Sequence, residues 1–181
     1  MRRSIRLLAT LALAAAPVRA QTAPITVVVV RHAEKGPENP DPSLTPAGQR
    51  RAAALARALT DAHPTAIFAS EFKRTQETVG PLAAANGIPV TIVPAGKMDS
   101  LLGLVRALPP GSHAVVASHS NLVHLIVQKL SGMRMPPLTD ADYDRLVVVT
   151  ITGNGTGDAV VLRYGESSDP AAPGMIKPPG W

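Results

Sequence analysis

The reading turns on Thr26–Gln49, "TVVVVRHAEKGPENPDPSLTPAGQ". Four consecutive valines, Val27–Val30, make an apolar run of strand length with no alternation, the pattern of a strand buried on both faces. It ends in Arg31, His32, Ala33, Glu34 and Lys35, four of which are charged or titratable. A charge at the end of a core strand is expensive unless something pairs with it, so the stretch asks for a partner, either from the protein or from a ligand. Gly36–Ser43 then reads as a loop rich in Pro, Asn and Asp. Thr45-Pro46 reads as N-cap and first position of a helix, with Ala52, Leu55, Ala56 and Leu59 as its apolar stripe.

Outward from there, strand and helix signals alternate. Strands are predicted at Thr65–Ala69, Val90–Val93, His113–Ser118, Leu146–Thr152 and Ala159–Tyr164. Helices are predicted after Ser70, taken as their cap, as far as Asn86-Gly87 with a kink at Pro81. Two more are predicted over Ser100–Leu108 and over Asn121–Leu130, the last apolar almost all round and therefore buried. This alternation implies an α/β domain, a mostly parallel sheet with helices on both faces. Ligands of such sheets bind beyond the carboxyl ends of the strands. Arg31-His32 follows the first strand, Ser70 and Arg74 the second, and Ser118-His119-Ser120-Asn121 the fourth. Three separated segments thus bring two Arg and two His to one sheet edge.

Bulk properties narrow the function. The 181 residues fit one domain. Met1–Ala20 has Arg2, Arg3 and Arg6, then an apolar stretch Leu7–Ala16, then small residues around Val18-Arg19-Ala20. That is the grammar of a secretory signal peptide, with an apolar part too short to span a membrane comfortably. The expected organisation is a signal peptide at 1–20, the domain at 21–165 and a loose Pro/Gly-rich tail at 166–181, with a periplasmic or secreted protein as the product. The net charge of +5 is mostly the leader's: residues 21–181 hold 14 basic against 13 acidic residues. Near neutrality disfavours nucleic acid, membrane surface and adhesion as partners once the leader is gone. Two Phe, two Tyr and one Trp are too few for a base-stacking platform. Without cysteine there is no disulfide, thiolate metal site or thiol nucleophile.

Two Arg and two His converging on one point need an anion between them. Phosphate suits the planar fork of arginine, a histidine can carry a phosphoryl group covalently, and arginines neutralise charge on the group in transfer. Backbone N–H groups at the helix starts after Ser70 and Ser120 add to the site, with Ser120 and Asn121 as further candidate phosphate ligands. Other features read as structural. His63 and His113 belong to a loop and a strand start. His124 stands five residues after His119, off its helical face, so the two make no metal pair. Ser118 and Ser120 lack a nucleophile-elbow context. Asp140, Asp142 and Asp144 lack the glycine and glutamate of a calcium loop and read as a capped turn.

"RHAEK" (31–35), "LTPAGQRRA" (44–52), "SEFKRTQET" (70–78) and "ASHSN" (117–121), in this order and each after a strand or before a helix, resemble the motifs of the histidine phosphatase superfamily, the phosphoglycerate-mutase-like fold. The resemblance runs from about Thr26 to Tyr164. It implies a three-layer α/β/α sandwich, His32 as the phosphorylated nucleophile, Arg31, Arg74 and His119 as the rest of the phosphate pocket, a small phosphorylated substrate, and no metal or other cofactor. Ala33 stands where most members have glycine. Ser120 stands where the acid phosphatase branch has a carboxylate, which leaves Asp99, and Glu34 beside the nucleophile, as candidate general acids. The short chain resembles the small phosphohistidine-phosphatase-like branch, whose members act inside the cell; it has no room for the insertions that cover mutase pockets. The expected activity is an exported phosphomonoesterase whose rate falls at low pH as His32 protonates. The rival is a non-catalytic phosphate-binding protein on the same fold, separated from it by turnover.

Overall fold

A computed structural model of the chain describes residues 23–37, 40–153 and 157–168. Its elements in chain order are β1 (Ile25–Arg31), α1 (Pro46–Ala58), a 3₁₀ turn (Thr60–Ala62), β2 (Ala66–Ala69), α2 (Lys73–Asn86), β3 (Val90–Ile92), α3 (Met98–Arg106), β4 (His113–Ser118), α4 (Ser120–Ser131), β5 (Arg145–Ile151) and β6 (Gly157–Arg163). The six strands form one sheet in the order β3-β2-β4-β1-β5-β6. β3, β2, β4 and β1 are parallel, β5 runs antiparallel beside β1, and β6 returns against β5 as a hairpin.

The valine run sits in the middle of this sheet and is buried on both faces. Val27 and Val29 enter one core with Leu102, Val105, Val123, Ile126 and Val127 of α3 and α4. Val28 and Val30 enter the other, with Leu55 of α1 and Val79 and Leu82 of α2. The result is a helix–sheet–helix sandwich. Each fully buried Val or Leu contributes about 1.5–3 kcal/mol, so the alternation of β1 fastens both layers to one strand. The register sets Arg31 opposite Ser118, and the His32 N–H donates to the Ser118 carbonyl at 2.8 Å. His32 and His119 therefore leave the sheet side by side.

Helix starts differ from the sequence expectation in two places. Ser70 does not cap α2, which begins at Lys73 behind Phe72; its hydroxyl is used inside the site instead. α4 starts at Ser120, one residue before the predicted Asn121, directly after His119 and without a side-chain cap. α2 runs unbroken through Pro81 and ends in left-handed Gly87. α4 is not buried all round: Val123, Ile126, Val127 and Leu130 face the core, while Asn121, Leu125 and Lys129 are exposed. Thr45 caps α1 as expected, accepting from the Gly48 N–H at 3.1 Å. The signal peptide expected at 1–20 and most of the expected tail lie outside the described residues. The first tail residues are fastened to the domain: Arg51 Nη1 donates to the Glu166 carbonyl and the Tyr143 N–H to Ser168 Oγ. Among the described residues no helix is long and apolar enough to cross a membrane.

Candidate active site

The carboxyl ends of β1, β2 and β4 bring His32, Ser70 and His119 together, and the first turn of α2 adds Arg74. The two imidazoles lie edge to face with centroids 5.5 Å apart. His32 is 4 % and His119 8 % exposed. His32 Nδ1 lies 2.8 Å from the Ala33 carbonyl oxygen. A carbonyl only accepts, so Nδ1 carries the proton and the lone pair of the neutral ring is on Nε2. Burial lowers the pKa of His32 to about 3; the bond to Ala33 opposes this, and the positive charges of Arg31 and Arg74 and the ring of His119 add to it. Burial lowers His119 to about 4, with Arg74 next in weight. Both rings are neutral at pH 7.

The neighbouring turn is built to hold this geometry. The Ala33 N–H donates to Thr78 Oγ1, which donates to the Arg74 carbonyl at 2.6 Å. Ser70 Oγ bonds both Thr75 Oγ1 (2.8 Å) and His119 Nε2 (3.0 Å). The His32 loop, α2 and the second histidine are thus one hydrogen-bonded unit. Leu122 and Val123 donate to the His119 carbonyl, whereas the N–H groups of Ser120 and Asn121 are first-turn donors without a partner in the helix.

Both arginines are anchored rather than free. Arg31 Nη1 donates to the carbonyls of Thr139 (2.7 Å) and Asp142 (3.3 Å), Asp140 lies 3.6 Å from Nη2, and the guanidinium sits 4.0 Å from the centre of the Tyr143 ring. Arg74 sits 4.2 Å from the centre of the Phe72 ring, with Asp41 at 3.9 Å. Each guanidinium keeps a buried Nε–H without a partner. Two guanidinium groups beside two neutral histidines make a positively charged site suited to an anion.

The candidate acids fall elsewhere. The Glu34 carboxylate is taken by Arg51, at 2.9 Å and 3.0 Å from Nε and 2.7 Å from Nη2, and orients neither Lys35 nor Arg74. Arg51, only 5 % exposed, also donates to the Tyr164 and Glu166 carbonyls, so this pair is a structural clamp behind the loop. Asp99 lies exposed in the first turn of α3, where its charge suits the helix N-terminus, and no hydrogen bond or ion pair joins it to Arg31, His32, Arg74 or His119.

Three residues at the pocket escaped the sequence reading. Phe72 meets His119 edge to face at 5.3 Å, and Tyr143 stands 6.2 Å from His32. Glu71 carries the one negative charge that acts on His119, and its Oε2 accepts from the Ala95 N–H at 2.8 Å. Phe72 and Glu71 lie inside a quoted motif, and Tyr143 in a polar turn where an aromatic residue has no local reason to stand. Among the described residues, no group of three or more His, Asp or Glu is placed to hold a metal ion.

The model of the histidine phosphatase superfamily (branch 1) matches residues 27–97. No curated protein matches the sequence. Among solved structures, the chain is similar to the protein histidine phosphatase SixA complexed with tungstate, with a TM-score of 0.63 and 20 % identity over 76 % of this chain and 96 % of that one. It is similar to a mycobacterial glucosyl-3-phosphoglycerate phosphatase (TM-score 0.61, 14 % identity, 77 % and 99 % covered). The phosphoglycerate mutase of Plasmodium falciparum shares the fold at a TM-score of 0.56 and 16 % identity, with 79 % and 91 % covered.

Proposed function

We propose that the chain, whose residues 27–97 match the model of the histidine phosphatase superfamily (branch 1), is an exported, metal-independent phosphatase of that superfamily that hydrolyses phosphate monoesters through a phosphohistidine on His32. The observation that carries the reading is the Nδ1–H···O=C bond from His32 to Ala33. It selects the tautomer with a free Nε2 lone pair, and the low pKa keeps that lone pair unprotonated at neutral pH. In this reading the N–P bond forms at His32 Nε2 as the ester P–O bond breaks. The guanidinium groups of Arg31 and Arg74, with His119, take the phosphoryl oxygens. Water then attacks phosphorus, the N–P bond breaks, and phosphate is released. Arg31, buried, and Arg74, half-buried, supply the positive charge that the transferring group needs. Export rests on the Met1–Ala20 pattern of basic, apolar and small residues.

The test is hydrolysis of 4-nitrophenyl phosphate with a chelator present, beside His32→Ala. Turnover that survives the chelator and drops more than about a thousandfold in the variant supports the mechanism. Equal turnover in the variant removes His32 from the chemistry. Phosphate binding without turnover points to the binding protein instead. For export, protein recovered from the periplasm or medium is expected to begin at Gln21.

A further inference from the structure

We infer that this pocket selects phosphomonoesters whose leaving group is a flat ring, aryl phosphates as a class, with Phe72 and Tyr143 as its specificity-determining residues. This rests on the phosphatase reading above. The chain has only two Phe and two Tyr. Phe68 and Tyr164 are spent in the cores, while Phe72 and Tyr143 stand half-buried at the site. Ring contacts link Tyr143 to His32, His32 to His119 and His119 to Phe72, with centroids 6.2, 5.5 and 5.3 Å apart. An aromatic ring therefore flanks the histidine pair at each end, and each is braced by an arginine, Arg31 on Tyr143 and Arg74 on Phe72.

Both rings are held from the backbone. The Phe72 carbonyl accepts from Thr75 Oγ1 at 2.7 Å, and the Tyr143 N–H donates to Ser168 Oγ at 2.9 Å. A substrate ring entering over the histidines meets prearranged aromatic edges and faces, the arrangement aromatic pairs favour.

The leaving-group chemistry agrees. Glu34 is bound to Arg51, Asp99 stands apart, and Glu71 already accepts the Ala95 N–H. A phenoxide, conjugate to an acid of pKa about 10, departs without protonation far more readily than an alkoxide as basic as hydroxide. As Nε2 bonds to phosphorus, the aryl oxygen leaves with the P–O electron pair and takes its proton from water.

The experiment compares kcat/KM of the full chain on phenyl phosphate, a phosphotyrosyl peptide, glycerol phosphate and acetyl phosphate, whose leaving group departs easily but has no ring. Phenylphosphonate and methylphosphonate Kd values report ring recognition without turnover. Preference for an aryl ester over glycerol phosphate is expected. In Phe72→Leu and Tyr143→Leu, the phenyl-to-acetyl phosphate ratio and the phenyl-to-methyl phosphonate preference should fall roughly three- to tenfold. Selectivity within twofold of wild type in both variants overturns the inference, as does a preference for glycerol phosphate. Acetyl phosphate turnover without ring preference leaves the phosphatase reading standing and sinks this one. If nothing is turned over, the phosphatase reading fails, and equal phosphonate affinities sink the ring inference as well. A small aryl ester outrunning the peptide makes the substrate a free metabolite; the reverse makes it a phosphoprotein.

Discussion

At the scale of single residues, the site is a balance between burial and charge around His32. A histidine in water titrates near 6.5; this one is held down to about 3 by burial, with Arg31, His119 and Arg74 adding to the depression. The acidic limb of kcat/KM, corrected for ionisation of the substrate, is therefore expected well below 6. A limb at 6–7 would mean that Nε2 is more solvated than the geometry shows. The Glu34–Arg51 pair gives a second prediction. Glu34→Gln strips the counter-charge from a buried guanidinium and should lower stability by about 2–4 kcal/mol in urea unfolding. It should leave the alkaline limb of the rate profile in place, because this carboxylate protonates no leaving group. Loss of that limb would return Glu34 to the role expected from its position beside the nucleophile. Arg31, His32, Arg74 and His119 could be brought to one end of the sheet from the sequence because each sits in a motif at or shortly after a strand end. Tyr143 was not, because its place beside Arg31 comes from a loop 108 residues away in the chain, which local pattern does not encode.

At the scale of elements, the strands and helices could be read to within a few residues because period and punctuation agreed, as in the valines of β1, Thr45-Pro46 before α1 and Gly87 after α2. The misreadings share one cause. Ser70 looks like a cap by residue type, but the site recruits its hydroxyl for His119 and Thr75, and α2 starts three residues later. α4 looked buried all round, yet only one of its faces meets the sheet. Tertiary demand outranked local propensity in both. Glycines separate the two influences experimentally. A Cβ on Gly48 would collide with the Glu34 carbonyl oxygen, so α1 presses against the backbone of the loop that follows His32. Gly48→Ala is expected to cost about 2–3 kcal/mol and to reduce turnover through displacement of that loop. Gly80 in α2 and Gly103 in α3 have nothing within 4 Å of the added methyl, so Gly80→Ala and Gly103→Ala should each stabilise by about 0.5–1 kcal/mol with activity kept. Thermal melts and initial rates of the three variants check the contrast; equal losses in all three would mean that close packing at Gly48 is not what matters.

At the scale of the whole molecule, alternation in the sequence implied the layers, but not the order β3-β2-β4-β1-β5-β6 or the reversal of β5. Those depend on pairing between strands far apart in the chain. What the order achieves is to put β1 and β4 together at the centre, so that each ends in a histidine at one edge, with the core closed on both sides behind them. The closure carries a cost in acid that can be measured. In the unfolded chain both histidines bind a proton near pH 6.5; in the folded protein they resist it until about 4 for His119 and about 3 for His32. The folded state thus binds fewer protons across this window, and stability falls as pH falls. The contribution is fully present above pH 6.5, and between 6.5 and about 4 the loss approaches two protons' worth, roughly 2.7 kcal/mol per pH unit. Urea unfolding at pH 7, 6, 5 and 4 should show it, and His119→Gln, which keeps a polar side chain without the titration, should about halve the slope. A phosphate ion bound between the histidines reverses the sign of their local field, so saturating phosphate should flatten the same curve. A slope that ignores both the substitution and the anion would place the acid sensitivity outside this site.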